Sequence, residues 1–213
     1  MKKVLFSLLL LFSLAKAHGQ FTADDVFKPS VYMTWLGVDF SEVKFIGPAS
    51  GWGEVSTKSP TEMRDKYFPE WNNLIVNEWK NFKIEEAVSR TELDQDIRAV
   101  SKANERSNKK EIFSESISDY QLLDEAMIKA MVKKYDFGDK TGLGFLLVAE
   151  GMSKGREEAS YWATFVDMKT KNVVFTRRIT GKAGGFGFRN YWAGSMKSVF
   201  KTMKKEFKNW KRN

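Results

Sequence analysis

Residues 144–180 read GFLLVAEGMSKGREEASYWATFVDMKTKNVVFTRRIT, and this stretch decides the fold. It contains an apolar run at 144–149, an alternating run at 159–168 and a run rich in β-branched residues at 173–180. Such runs are typical of β-strands when turn residues separate them. The polar tetrapeptide KTKN at 169–172 is a turn of this kind. The stretch therefore predicts three strands that form an antiparallel meander.

The chain before the meander alternates strand signals with helix signals. The run SVYMTWLGVDF is almost continuously apolar, which is typical of a strand buried on both faces. Shorter apolar or weakly alternating runs predict further strands, the second of them ending before the turn signal Gly47-Pro48. The strands predicted in this part of the chain are 30–40, 43–46, 82–88 and 112–115.

Two helices are predicted between these strands. Residues 59–62 (SPTE) form a helix start, with a serine cap, a proline at the first helical position and a glutamate three residues after the cap. Pro69 interrupts or restarts this helix. Ser118 is predicted to cap a second helix that reaches about Tyr135. The predicted apolar face of the second helix consists of Leu122, Leu123, Ala126, Met127, Ala130 and Met131.

The last predicted helix, residues 188–210, is amphipathic. Its apolar residues recur at steps of three and four, which predicts one face packed on the sheet. Lysines occupy mainly the opposite face, where they are either a solvated flank or a surface for weak contact with an anionic partner or membrane. These lysines are Lys197, Lys201, Lys204, Lys205, Lys208 and Lys211.

The order of these elements predicts the fold class, which is α/β (α+β) with a single mixed β-sheet. Helical crossovers early in the chain leave room for parallel pairing, the C-terminal meander is antiparallel, and the helices pack on the sheet. Residues 89–111 are polar and strongly charged, which predicts either a solvated excursion or a segment of short helical turns. Because no internal repeat or low-complexity linker divides residues 18–213, they are predicted to form one globular domain.

The N-terminus predicts export from a bacterial cytoplasm. Lys2 and Lys3 precede an apolar run that ends in Ala-Lys-Ala at 15–17, and this is the pattern of a secretory signal peptide. The run is too short to span a bilayer. We therefore expect residues 1–17 to be cleaved near Ala17, leaving no transmembrane segment. No Cys follows the run, so the protein is expected to be periplasmic or secreted and not a lipoprotein.

The composition excludes most familiar catalytic sites. The chain has no Cys, and its single His, His18, lies at the predicted cleavage point. A Ser-His-Asp triad, a Cys-His nucleophile and a zinc site of the usual type therefore each lack a necessary residue. Neither a catalytic residue, a metal site nor a cofactor is predicted. The enzyme alternative is a carboxylate-dependent hydrolase acting on an envelope polymer, with Asp39, Glu42, Glu150, Glu157, Glu158 and Asp167 as its candidate acids.

The glycine-rich segment between the meander and the last helix is the predicted interaction surface. Its glycine spacing does not match a P-loop. It is also not a dinucleotide-binding fingerprint within a strand–helix–strand unit, because no strand follows the helix. The segment is either a flexible turn or an anion contact that uses Lys182 and Arg189. Nucleic acid is not an expected partner of an exported protein. The predicted surface consists of Lys182, Gly184, Gly185, Phe186, Arg189, Asn190, Tyr191 and Trp192.

The runs GFLLV at 144–148, FVDM at 165–168 and GGFGFRNYWAG at 184–194 resemble a group of uncharacterised exported proteins of Gram-negative bacteria. The likeness covers about residues 140–200. At fold level the plan is also similar to the small α/β domains of the Tol translocation protein, the curli secretion lipoprotein and the activator lipoproteins of penicillin-binding proteins. The resemblance implies contact with an envelope or extracellular protein rather than catalysis, and it assigns no binding residue.

Overall fold

A computed structural model of the chain describes residues 20–47, 59–107 and 112–211. The predicted leader, residues 1–17 with its cleavage point near Ala17, lies outside the described residues, and so does Pro48 of the predicted turn. The described residues form one mixed β-sheet, with helices packed on both of its faces.

The sheet is built around one long strand that pairs along both of its edges. One edge of β5 pairs antiparallel with β6, which pairs antiparallel with β7. The other edge of β5 pairs in parallel first with β1 and then with β2, which lie end to end. Two short strands, β3 and β4, add in parallel to β1 and β2. The strands are β1 (Met33–Asp39), β2 (Lys44–Ile46), β3 (Asp94–Gln95), β4 (Phe113–Ser114), β5 (Leu143–Ser153), β6 (Glu158–Asp167) and β7 (Asn172–Lys182).

The helices connect and cover these strands. A π-helical turn (Met63–Tyr67) joins the first two helices after β2, and a 3-10 helix (Ile117–Gln121) follows β4. The α-helices are α1 (Ala23–Val26), α2 (Pro60–Glu62), α3 (Phe68–Asn77), α4 (Trp79–Phe82), α5 (Ile84–Ala87), α6 (Arg98–Asn104), α7 (Glu125–Lys133) and α8 (Phe188–Trp210).

Both faces of β5 are buried, which explains the continuous apolar run in its sequence. Alternate side chains point to opposite faces of a strand. Phe145 and Leu147 therefore join a large aromatic core with α3, α5 and α8, whereas Leu146 and Val148 join a smaller core with α6 and α7. The result is a three-layer arrangement in which the sheet lies between two sets of helices.

The predicted α/β class is confirmed, and so are several of the predicted elements. Ser59 caps α2 by accepting a hydrogen bond from the Glu62 backbone N–H at 3.1 Å. The π-helical turn precedes Pro69, which has no N–H to donate to a regular ladder. The last helix has the predicted bounds, 188–210. The three predicted meander strands pair antiparallel, but β5 is also the centre of the parallel part of the sheet and is not confined to a C-terminal unit.

One prediction between residues 82 and 111 is wrong, and the polar excursion is more structured than expected. Residues 82–88 are not a strand but the helical turns of α4 and α5, because Phe82, Ile84, Ala87 and Val88 all pack into the aromatic core. The charged excursion is partly a structural element, since it contributes β3 and α6. Its few apolar residues, among them the buried Ala99 and Val100, pack α6 against the sheet.

Arg90 shows how the charged segment is tied to the rest of the domain. Its guanidinium donates hydrogen bonds of 2.9 Å to the backbone carbonyls of Val26, Val31 and Val88. None of these acceptors carries a charge, and burial lowers the pKa of Arg90. The side chain therefore joins the N-terminal residues to the end of α5.

The predicted second helix starts later than expected. Asp124, not Ser118, caps α7 by accepting a hydrogen bond from the Met127 backbone N–H at 2.8 Å. Leu122 therefore precedes the helix, and the predicted apolar face is not the buried one, since Leu122 and Met127 are exposed. The residues that α7 buries are Ile128, Met131 and Val132.

Candidate functional site

The glycine-rich loop between β7 and α8 is folded back on the first turn of the helix. Its backbone makes three ordered hydrogen bonds: Ala183 N–H to Glu157 O at 2.8 Å, and Gly184 N–H to Tyr191 O and Tyr191 N–H to Gly187 O, both at 2.9 Å. The loop is therefore held by its own backbone and by the β5–β6 hairpin, and its shape does not require a bound ligand.

Close packing explains the glycines at two positions. A Cβ atom on Gly194 would lie 2.0 Å from the carbonyl oxygen of Gly184. Gly185 has a φ of +125°, and a Cβ atom there would lie 2.9 Å from the Asn190 carbonyl oxygen. Both glycines let the loop lie against α8, and neither forms part of a phosphate-binding fingerprint.

The loop presents one aromatic ring to solvent. Phe186 is 96% exposed, whereas Phe188 packs against Tyr67 and Trp71. Trp192 is fully buried, so this residue of the predicted surface belongs to the core. The exposed members of the predicted surface are Lys182, Gly184, Gly185, Phe186, Arg189 and Asn190.

Neighbouring elements hold the start of α8 in place. The Trp71 indole N–H donates a hydrogen bond of 2.9 Å to the Arg189 carbonyl. Tyr191 is half-buried, and the Lys154 ammonium lies 3.9 Å from the centre of its ring. Sequence reasoning missed Lys154. The signal for it was the SKGR turn of the β5–β6 hairpin, which carries two cations.

Three of the candidate catalytic acids have structural partners. Glu150 accepts hydrogen bonds from the Arg178 guanidinium, the Leu123 N–H and the Ser160 hydroxyl. Asp167 accepts the backbone N–H groups of Lys169 and Thr170 at the turn after β6, and Glu158 accepts the Tyr120 hydroxyl. In these three residues the carboxylate oxygens therefore accept hydrogen bonds that stabilise the fold.

Asp39 is a buried acid at the end of β1. It accepts hydrogen bonds from the Ser41 backbone N–H at 2.7 Å and from the Tyr135 hydroxyl. Burial raises the pKa of Asp39, and the hydrogen bonds oppose this only in part. Beside it lies a cleft of about 220 Å³ that is also lined by Lys102 and Asp136. These last two side chains form an ion pair at 3.3 Å, so the cleft holds both signs of charge.

Asp39→Asn is expected to make stability less dependent on pH. The ordinary pKa of an aspartate is 3.8, and above this pH the unfolded chain has lost the proton of Asp39. Because the pKa is raised in the folded protein, the folded protein still holds the proton there. The stability that the proton contributes is present below that value and is lost as the pH rises through the folded pKa. Asparagine cannot ionise. The free energy of unfolding of the variant should therefore rise relative to the parent between about pH 4 and about pH 7, measured by urea denaturation.

Asp136→Asn is the control for this measurement, because its stability relative to the parent should change with pH in the opposite direction. The Gly138 N–H and the Lys102 ammonium lower the pKa of Asp136, so its contribution is present above the ordinary pKa. This variant should lose stability relative to the parent as the pH rises. A parallel trend for both variants would contradict the assignment of the Asp39 proton.

Within 20–47, 59–107 and 112–211, no three Asp, Glu, His or Cys side chains are grouped so that they could ligate a metal ion. No helix in these ranges combines the length and the apolar character needed to cross a membrane.

Comparison with known proteins finds no matching family model, no similar curated protein and no similar solved structure. The resemblance of residues 140–200 to exported proteins therefore stays a prediction.

Proposed function

We propose that the protein is an exported, non-catalytic α/β domain that binds an envelope or extracellular protein through its glycine-rich loop. Export rests on the sequence of residues 1–17. The absence of catalytic activity is proposed because the chain lacks Cys, has His only at position 18, and uses Glu150, Glu158 and Asp167 as hydrogen-bond acceptors within the fold. A carboxylate-dependent hydrolase remains the enzyme alternative.

The exposed ring of Phe186 is the observation that supports the binding role. Full burial of a phenylalanine side chain stabilises a complex by about 1.5 to 3 kcal/mol. A loop that is already ordered loses little conformational freedom when it binds, which lowers the cost of association. The backbone hydrogen bonds of Gly184 and Tyr191 provide this order.

The charges around the ring indicate the chemistry of the partner. Lys182 and Arg189 are exposed on either side of the loop, and Lys154 lies on the adjoining hairpin. A partner with an apolar pocket and an acidic rim would match this arrangement. The cations would direct the encounter, and the ring would supply most of the affinity.

Photo-crosslinking from position 186 tests the proposal. A photoreactive phenylalanine analogue at this position should give one defined adduct when the protein is in its native envelope. An excess of unlabelled parent protein should suppress the adduct, and an excess of Phe186→Ser should not. Because Phe186 makes few contacts in the free protein, Phe186→Ser should change the free energy of unfolding by less than about 0.5 kcal/mol.

Tyr32 supplies the matched control position. It is also an exposed aromatic residue, but it precedes β1, at the end of the sheet opposite the glycine-rich loop. The same analogue at position 32 should not give the adduct. Equal crosslinking from both positions, or suppression by Phe186→Ser, would contradict a specific site at the loop.

A further inference from the structure

A cleft of about 570 Å³ lies between the α4–α5 junction and the middle of α8. It is separate from the glycine-rich loop. The buried rings of Phe82 and Phe200 lie at its base. Its polar lining consists of Asn81, Lys83, Lys197, Lys201, Lys204 and Lys205. Of the residues that the structure describes, five lysines and no acidic residue therefore line the cleft.

Acidic neighbours neutralise only part of this charge. Glu78 lies 3.8 Å from the Lys197 ammonium, and Glu86 contacts both Lys204 and Lys83. Two glutamates thus face five lysines. Among the described residues, no carboxylate forms an ion pair with Lys201 or Lys205, the remaining two lysines of the cleft. The cleft therefore keeps an excess of positive charge.

The backbone at Lys83 is a second, independent observation. Lys83 has a φ of +53° and a ψ of +46°, the left-handed conformation, between the end of α4 and the start of α5. Glycine adopts this conformation at much lower cost than a residue with a Cβ atom. A lysine here has an unfavourable backbone, and its side chain lines the cleft. Residues in such conformations are frequent at ligand sites.

We propose that this cleft binds a phosphorylated ligand through Lys83, Lys201 and Lys205. A lysine ammonium is a compact charge with three donors, and it is a common ligand of phosphate groups. The volume falls in the range of small-molecule sites and exceeds the size of one phosphate group. The ligand therefore carries two or more phosphates, or one phosphate on a larger body. A phospholipid headgroup and a soluble phosphorylated compound share this chemistry.

Binding measurements with two probes test the proposal and identify the source of the phosphate. The probes are inorganic pyrophosphate, followed by calorimetry, and vesicles that contain phosphatidylglycerol, followed by co-sedimentation, both at about 0.15 M salt, where distant charges are screened. Binding of pyrophosphate would assign a soluble ligand, and binding of the vesicles alone would assign a headgroup. If neither probe binds, the proposal is wrong.

Charge reversal on α8 distinguishes the cleft from a general basic surface. Lys201→Glu and Lys205→Glu each replace an attraction with a repulsion, so each should weaken binding at least tenfold. Lys208 lies on the same side of α8 one turn further along, and it does not line the cleft. Lys208→Glu has the same change of charge and should weaken binding less than twofold. An equal loss for Lys208→Glu would show that net charge, not the cleft, binds the probe.

Two more variants give results that a folding defect cannot imitate. Glu86→Gln removes the acid that neutralises Lys83 and Lys204, and it should strengthen binding several-fold. Lys83→Gly relieves the left-handed backbone, so it should unfold at a temperature no lower than the parent while binding at least fivefold more weakly. Unchanged binding in Lys83→Gly, or no gain in Glu86→Gln, would overturn the proposed site.

Discussion

Asn72→Ala is expected to lower the free energy of unfolding by about 2 to 4 kcal/mol. Asn72 is on α3, and its side chain is buried against β1. Its Oδ1 accepts the Val38 N–H at 2.7 Å, and its Nδ2 donates to the Val38 carbonyl at 2.9 Å. Alanine would leave the Val38 N–H buried without an acceptor, which costs more than the loss of an exposed hydrogen bond.

The geometry of β1 explains why an asparagine is needed here. Strand β3 pairs only with Thr34 and Trp35, so none of the strands in the described part of the chain lies beside the outer edge of β1 at Val38. A side-chain amide has both a donor and an acceptor, like the peptide group it replaces. Asn104 of α6 also bonds to this edge of the β1 backbone. Its side chain accepts the Phe40 N–H at 2.6 Å and donates to the Val38 carbonyl at 3.0 Å.

Asn73→Ala is the matched control for this prediction. Asn73 is the next residue of α3, and its side chain is exposed. This variant should change the free energy of unfolding by no more than about 0.5 kcal/mol, since alanine has the better helix propensity. Urea denaturation of the three proteins gives the comparison. Similar losses in both variants would mean that the amide bridge to Val38 is not the cause.

Glu150→Ala is expected to cost about 3 kcal/mol. The Glu150 carboxylate is fully buried, and both of its oxygens lie 3.0 Å from nitrogens of the Arg178 guanidinium. Removing one partner of a buried ion pair leaves the other charge without compensation. The loss falls at the low end of the usual range because the Arg178 side chain is 34% exposed and keeps some hydration. The Leu123 N–H would also lose its acceptor at 2.7 Å.

The exposed pair Glu125–Lys129 on α7 provides the comparison. Its atoms lie 3.6 Å apart, with both side chains largely in water. Glu125→Ala should cost less than about 0.5 kcal/mol, as is usual for surface pairs on a helix. The double variant Glu150→Ala, Arg178→Ala should lose less stability than the two single variants together. Strict additivity would show that the two side chains do not stabilise each other.

Apolar patterns predicted the elements with the most buried residues: the helical period of three and four indicated α8, and continuous or alternating runs indicated the long strands. This is why α8 begins at Phe188 as expected, and why the three predicted C-terminal strands exist and pair antiparallel, although β5 also pairs in parallel with β1 and β2. The two-residue strand β3 is too short to produce a pattern, whereas β4 lies inside the strand predicted at 112–115. The start of α7 depends on which of two possible residues caps it. The sequence predicts Ser118, but Asp124 is the residue that accepts the capping hydrogen bond, from the Met127 N–H.

The two candidate sites differ in how far the sequence reveals them. The exposed part of the glycine-rich loop is one local segment, so the sequence alone can predict it as a candidate surface. The lysines of α8 were found too, but the cleft was not. Its other side is formed by Asn81 and Lys83, more than a hundred residues earlier in the chain. That wall depends on Lys83, whose backbone has the left-handed conformation. Local sequence rules expect glycine or asparagine at such a position.

The pairing of β1 with β5 also affects the order in which the protein folds. Met33 lies opposite Leu143, so the first long strand meets its main partner only after about a hundred further residues have been made. Contacts so distant in sequence form slowly, because a large loop must close before they contribute. A fragment that ends before residue 143 would leave the apolar strand β1 without this neighbour, and such a fragment would aggregate.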